Sequence, residues 1–583
     1  MRPPPRVRTL APLVAAALAA ASPVTLPRPA AAAPPATTYT NPVSAPAADT
    51  FADPSVVRGS DGAWYAFGTS DPLRAGETTP HLLPILRSTD LVNWSFAGDA
   101  LTTRPAWAAP AAGIWAPDVR RVGDRYLLYY TVTDTTLNPG DDSAIGVATA
   151  PTPLGPWTDS GRPVVAPRAA PGGGFLWTFD PALLSDAQGR LWLYYGSYFG
   201  GIFTAPLSAD GMTVTGAATR VTIDNRYEGA YVVHRDGWYY LFGSAANCCA
   251  GPTTGYSVFA GRSRTPTGPF IDRDGLSLLD SRAGGTPVVQ PNGNRWIGTG
   301  HNAVVTDLAG QDWLLYHAID RDAPYLNEPY GINRRPMLID RLEWRDGWPT
   351  ATASDGRRPA PVTGRHQRPG PAPAASVPRI GPLDRAASDE FDGGAVGGGW
   401  TWVRQDDAAT VTGGALRWPT EPADLTGDAN TAGVLLRTPP SGDYVVETKL
   451  TIDLGVDTVR NYQQAGLVAY AGDDDFARLS HVAIWNTRQI EFGRELTFAG
   501  RLSYGGMVEG PPAATTWLRL AHTTVRGEHH FRAGWSRDGV HWAWGGTWTF
   551  PPGPAPRVGL VSHGGDDPQA TALFDYFRVY RVR

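Results

Sequence analysis

The sequence predicts an all-β protein in two parts, a five-bladed β-propeller followed by a β-sandwich. Three observations point there. A strand–turn–strand unit recurs five times in the first 350 residues, roughly every 45 to 75 positions. Nothing between the copies carries a sustained helical period, which favours radial blades over a helical solenoid. Beyond a Pro/Ala/Gly-rich stretch the two-residue alternation of half-buried strands resumes and runs to the end of the chain.

The N-terminus carries Arg2, Arg6 and Arg8, then an apolar run from Leu10 to Ala21, then small residues ending at Ala33. This order reads as a secretory signal over residues 1–33, so a secreted, extracellular protein is expected. No later segment approaches the ~20 apolar residues of a membrane span. The net charge of −5, from 50 basic and 55 acidic side chains without a single-sign block, gives no reason to bind nucleic acid. Cys248 and Cys249 are the only cysteines and are neighbours, so stability is expected from apolar cores and not from a disulfide framework. A monomer is expected.

Residues 34–352 are assigned to the propeller. The copies open at Asp53, Asp118, Asp180, Glu228 and His301, and each continues into an apolar strand, a Gly-containing turn and a strand dense in Trp, Tyr and Leu. If the first strand of each unit lines the propeller axis, these five polar residues converge at one end of the channel. Gathering four carboxylates and an imidazole is costly, and folding alone does not require it. One protonated and one ionised carboxyl across a cleft are the equipment for splitting a glycosidic bond, and a third nearby acid can hold the proton donor's pKa high. Trp115 and Trp177, each three residues before an acid, are candidate walls for sugar rings.

The segments Phe51-ADPSVV, Ile114-WAPDVRR, Phe179-DPALLSDAQGRLWLYYGSYFGGIF, Tyr227-EGAYVV and Gly300-HNAVV together resemble glycoside hydrolase family 43, its arabinanase branch above all, as does Asn247-CCAG. The resemblance covers residues 38 to 350. It implies an inverting hydrolase with Asp53 as general base, Glu228 as general acid, and Asp180 positioning Glu228 and raising its pKa. Asp118 falls outside that trio and is expected to be structural or to contact substrate with Trp115 and Trp177. His301 matches a histidine associated with calcium, which one imidazole could hold only if water supplies most ligands; no organic cofactor is expected. The implied substrate is a plant cell-wall polysaccharide, arabinan or arabinoxylan, with endo cleavage of α-1,5-L-arabinofuranosyl linkages placed first. An exo-acting α-L-arabinofuranosidase or β-xylosidase, and a carbohydrate-binding propeller without turnover, are the alternatives.

Residues 353–387 read as a semi-rigid linker. From 388 to 583, stretches such as Tyr444-VVETKLTID, Ala465-GLVAY and Trp517-LRLAH predict an antiparallel sandwich that resembles the jelly-roll, concanavalin-like modules appended to family 43 enzymes. Trp485, Trp542, Trp544 and Trp548 are candidates for a sugar-binding face; a buttress for the propeller is the preferred role.

Overall fold

The computed structural model describes residues 36–582 except 283, 328–330, 365–366 and 372–376. The expected signal segment lies outside the described residues. The first three blades are separate four-stranded antiparallel sheets, built in chain order from Ser55–Arg58, Ile114–Val122 and Ala182–Ser185 outward. The fourth and fifth start at Glu228–Arg235 and Trp296–Thr306 and are linked by one parallel contact, Ser257 to Thr299. Each second strand is a run of large apolar residues, Trp64–Phe67, Arg125–Val132, Leu191–Ser197, Trp238–Ala245 and Asp312–Asp320, that packs between neighbouring blades. Ring closure uses the N-terminal segment. The Val43 amide donates to Met337 O at 3.0 Å, and the Asn41 side chain both donates to Ile339 O and accepts from its amide.

The sandwich stacks an eight-stranded sheet on a seven-stranded one. Its core holds Trp418, Val446, Leu467, Phe492, Leu520, Phe531, Leu560 and Phe574, all fully buried, from alternate positions of facing strands. The stretch expected as a linker is partly recruited into sheets. Arg358–Pro359 pairs with Thr38–Tyr39, and Ile380–Leu383 already lies on the last strand, Thr571–Val582.

The four tryptophans do not form one sugar-binding face. Trp548 is buried and donates to Phe492 O at 2.7 Å, Trp542 lies under the Arg519 guanidinium, and Trp485 is 49% exposed on a turn facing the propeller. Trp544 is half-buried beside the Arg532 guanidinium, and an irregularity between Arg532 and Gly534 breaks the alternation that would set it on the face of Trp548.

Candidate active site

Each innermost strand enters the bowl through one sharp corner. Asp53, Ala116, Asp180 and His301 have φ between 45° and 55°, and in the fourth blade Gly229 has φ 61°. Left-handed backbone is costly for residues with a Cβ and is kept where the surroundings demand it. The ladder is irregular at the same place in three blades, between Trp115 and Asp118, Glu228 and Tyr231, and Ile297 and Ala303. The five sequence positions are therefore not equivalent. Asp53, Asp180 and His301 occupy the corner itself, Glu228 precedes it, and Asp118 lies two residues beyond it.

That phase difference corrects the reading of Asp118 as a member of the converging ring or a substrate contact. Its carboxylate accepts from the Leu183 amide at 2.7 Å, Ser55 Oγ at 3.1 Å and Arg120 Nε at 3.1 Å. It ties three blades together from a buried position.

Asp53 is almost buried, and burial pushes its pKa up, yet His301, Arg335 and His317 hold it well below the usual carboxylate range. His301 Nδ1 and His317 Nδ1 each lie 3.2 Å from Asp53 Oδ1, Arg335 Nη1 lies at 3.5 Å, and the Thr69 hydroxyl donates to Oδ2. Burial lowers His317 to about 4, so it stays neutral. Asp53 is thus an ionised acceptor at neutral pH.

Glu228 is the opposite case. Burial pushes it up to about 7, with the Asp53 charge adding to the effect while Tyr256 and Ser197 oppose it. Ser197 Oγ donates to Glu228 Oε2 at 2.9 Å. Asp180 is also raised well above the carboxylate range, first by burial and then by Glu228, although the Gly229 amide donates to its Oδ2 at 2.8 Å. The two acids titrate as a pair that retains a proton where isolated carboxyls would have lost it.

Trp115 and Trp177 are 41% and 44% exposed and flank Phe179, which stacks on Trp177 at 5.6 Å and meets Trp115 edge-on at 6.2 Å. Gly113 makes room for this aromatic cluster. A Cβ there would come within 2.4 Å of the Trp115 indole nitrogen. Sequence reasoning missed Phe179 between the two tryptophans and Arg335 as the cation on Asp53. Phe179 adjoins Asp180 and was within reach; Arg335 sits outside the repeated unit, in the stretch leading to Met337–Arg341, and also contacts Asp71 at 3.4 Å.

For the cation expected beside His301, the donor set is thin. Among the described residues no group of three or more His, Cys, Asp or Glu is arranged to hold a metal ion. His301 Nδ1 faces Asp53, which leaves Nε2 as a single ligand. The site fits only an ion that keeps most of its water.

The chain matches the model of glycosyl hydrolases family 43 over residues 39–349. It belongs to that family. It is 31% identical over 307 residues to the extracellular endo-α-(1→5)-L-arabinanase 1 of Bacillus subtilis, covering 51% of this chain and 86% of the relative. It is 29% identical over 322 residues to the extracellular exo-α-(1→5)-L-arabinofuranosidase ArbA of Cellvibrio japonicus, covering 51% and 84%. The solved structure of the GH43 endo-arabinanase from Bacillus licheniformis is 30% identical, with a TM-score of 0.44 over 52% of this chain and 98% of that one. As a family 43 member the protein is a glycoside hydrolase, and its sandwich extends beyond the matched propeller.

The sandwich also reaches the propeller face that carries Glu228 and His301. Second strands of the blades end on the face where the first strands begin, so residues 246–256, 321–327 and 331–336 lie on the side of Glu228 and His301. Ser503 meets Thr253 at 2.8 Å, Arg321 pairs with Glu528 at 2.7 Å, and Asn486 bonds both Asp224 and Asn225. Cys248 and Cys249 are bridged within the first of these segments.

Proposed function

We propose that this enzyme hydrolyses α-1,5-L-arabinofuranosyl linkages of plant cell-wall arabinan with inversion, by endo cleavage. The observation that carries the reading is the divergence of two carboxyls in one bowl, Asp53 held ionised and Glu228 held protonated up to about pH 7. Asp53 takes a proton from water as that water attacks the anomeric carbon. Glu228 gives its proton to the departing oxygen, and Asp180 keeps Glu228 protonated and oriented through the Gly229 amide. Trp115, Phe179 and Trp177 offer apolar ring faces for the sugars. A monomeric secreted protein is part of the same reading, in keeping with relatives named extracellular. A hydrated calcium ion near His301 would be held by its Nε2 and supply a fixed positive charge. Chelation should then lower the melting temperature, and an unchanged one would remove the ion.

One observation favours exo action as a second reading. Trp485 and Tyr462, both half exposed and edge-on at 6.2 Å, sit on the sandwich beside the turn that grips residues 224 and 225, close to the acid's side of the bowl. A rim there shortens the groove. Incubation with linear arabinan, arabinoxylan and aryl arabinosides and xylosides, with products resolved by size over time, separates the cases. Early mixed oligomers from arabinan are expected; arabinose alone would establish the exo mode, xylose a xylosidase, and no product a binding propeller.

A further inference from the structure

Arg226, two residues before Glu228, is 2% exposed, and its guanidinium lies over the rings of Tyr227 and Phe259. A cation so desolvated is expensive unless it is well paired. Its hydrogen-bond partner comes from the sandwich, where Gln489 Oε1 accepts from Nη1 at 2.5 Å; Nε and Nη2 have none. Gln489 is itself oriented. Its Nε2 donates to Glu491 Oε2 at 3.0 Å, and Tyr504 donates to the other oxygen of Glu491 at 2.9 Å, so a flipped amide would set oxygen against carboxylate.

The residues just upstream are gripped as well. Asn225 Nδ2 donates to Asn486 Oδ1 at 3.0 Å, and Asn486 Nδ2 donates to Asp224 Oδ1 at 2.8 Å. Three consecutive propeller residues, 224 to 226, are each fastened to the sandwich immediately before Tyr227 and Glu228. Downstream, Gly229 is fixed by its bond to Asp180. The peptide that carries Glu228 is therefore anchored on one side by the propeller and on the other by the sandwich.

We infer that Gln489 is a positioning residue for Glu228, acting through Arg226, so that the sandwich completes the acid's half of the active site. This rests on Glu228 being the general acid. The experiment compares arabino-oligosaccharides, whose leaving oxygen needs a proton, with nitrophenyl glycosides of arabinose and arabinotriose, whose leaving group needs little. Gln489→Met keeps the volume and removes the acceptor. It should lower kcat on oligosaccharides about tenfold or more with KM nearly unchanged, and change aryl glycoside turnover by less than about twofold. Asn486→Ala, which leaves the buried guanidinium alone, should act in the same direction and carries the test if the first variant does not fold. Equal losses on both substrate classes, or no loss, would overturn the inference. Glu228→Gln is the control. If it fails to discriminate between the substrates, the assignment of the acid has failed; if it discriminates and the sandwich variants do not, only the positioning role has.

Discussion

Glu228 and Asp53 show how two acids in one bowl acquire opposite protonation. Both are taken out of water, but Arg335 and the His301 and His317 rings hold Asp53 down, whereas on Glu228 burial and the Asp53 charge outweigh the Tyr256 and Ser197 hydroxyls and Arg335. A pH profile follows from this. Turnover should fall as pH rises through about 7, where Glu228 loses its proton, and a plateau continuing well above that pH would remove it as the acid. Stability shares the same titration. Because the folded-state pKa is raised, the protonated carboxyl contributes fully below the ordinary glutamate range and that contribution is lost as pH rises through about 7. Glu228→Gln should accordingly melt above the parent at pH 8, with a smaller difference at pH 4. The trio could be read from the sequence because each acid opens a repeated strand. Asp118 opens one too, yet two residues of phase send its carboxylate to Leu183 and Ser55. Linear spacing does not reveal where the left-handed corner falls.

At the scale of elements, glycine decides where backbones can touch. Gly255 at the head of Ser257–Ser263 meets the strand Arg501–Gly510, where a Cβ would lie 1.9 Å from Gly506 O, and one on Gly505 would lie 2.0 Å from Thr253 O. This contact seats the sandwich on the loop that holds the Cys248–Cys249 bridge. Gly255→Ala should therefore cost about 1–3 kcal/mol, since backbone must shift, whereas Gly172→Ala, which meets nothing within 4 Å, should be nearly neutral. Thermal unfolding of both variants checks the pair, and equal melting temperatures would contradict the close packing. The blades were legible as elements because their second strands are dense in aromatics. The interface was not, because Gly255, Gly505 and Asn486 look like ordinary turn residues until two distant segments meet.

Across the whole molecule, the hydrolase is a propeller whose bowl is bordered by a second module. The sequence repeat reveals the first and the alternating pattern the second, but their docking depends on single polar contacts such as Arg226 with Gln489, separated by more than half the propeller's length in sequence. If Asp53 activates water on the face of the sugar opposite Glu228, the configuration of the released sugar reports it. The most direct test follows the anomeric proton of the first sugar released from an α-L-arabinofuranosyl substrate by NMR, before mutarotation. The β anomer should appear first and the α anomer only by later equilibration. Initial release of the α anomer would mean retention through a covalent intermediate and would contradict the roles given to both acids.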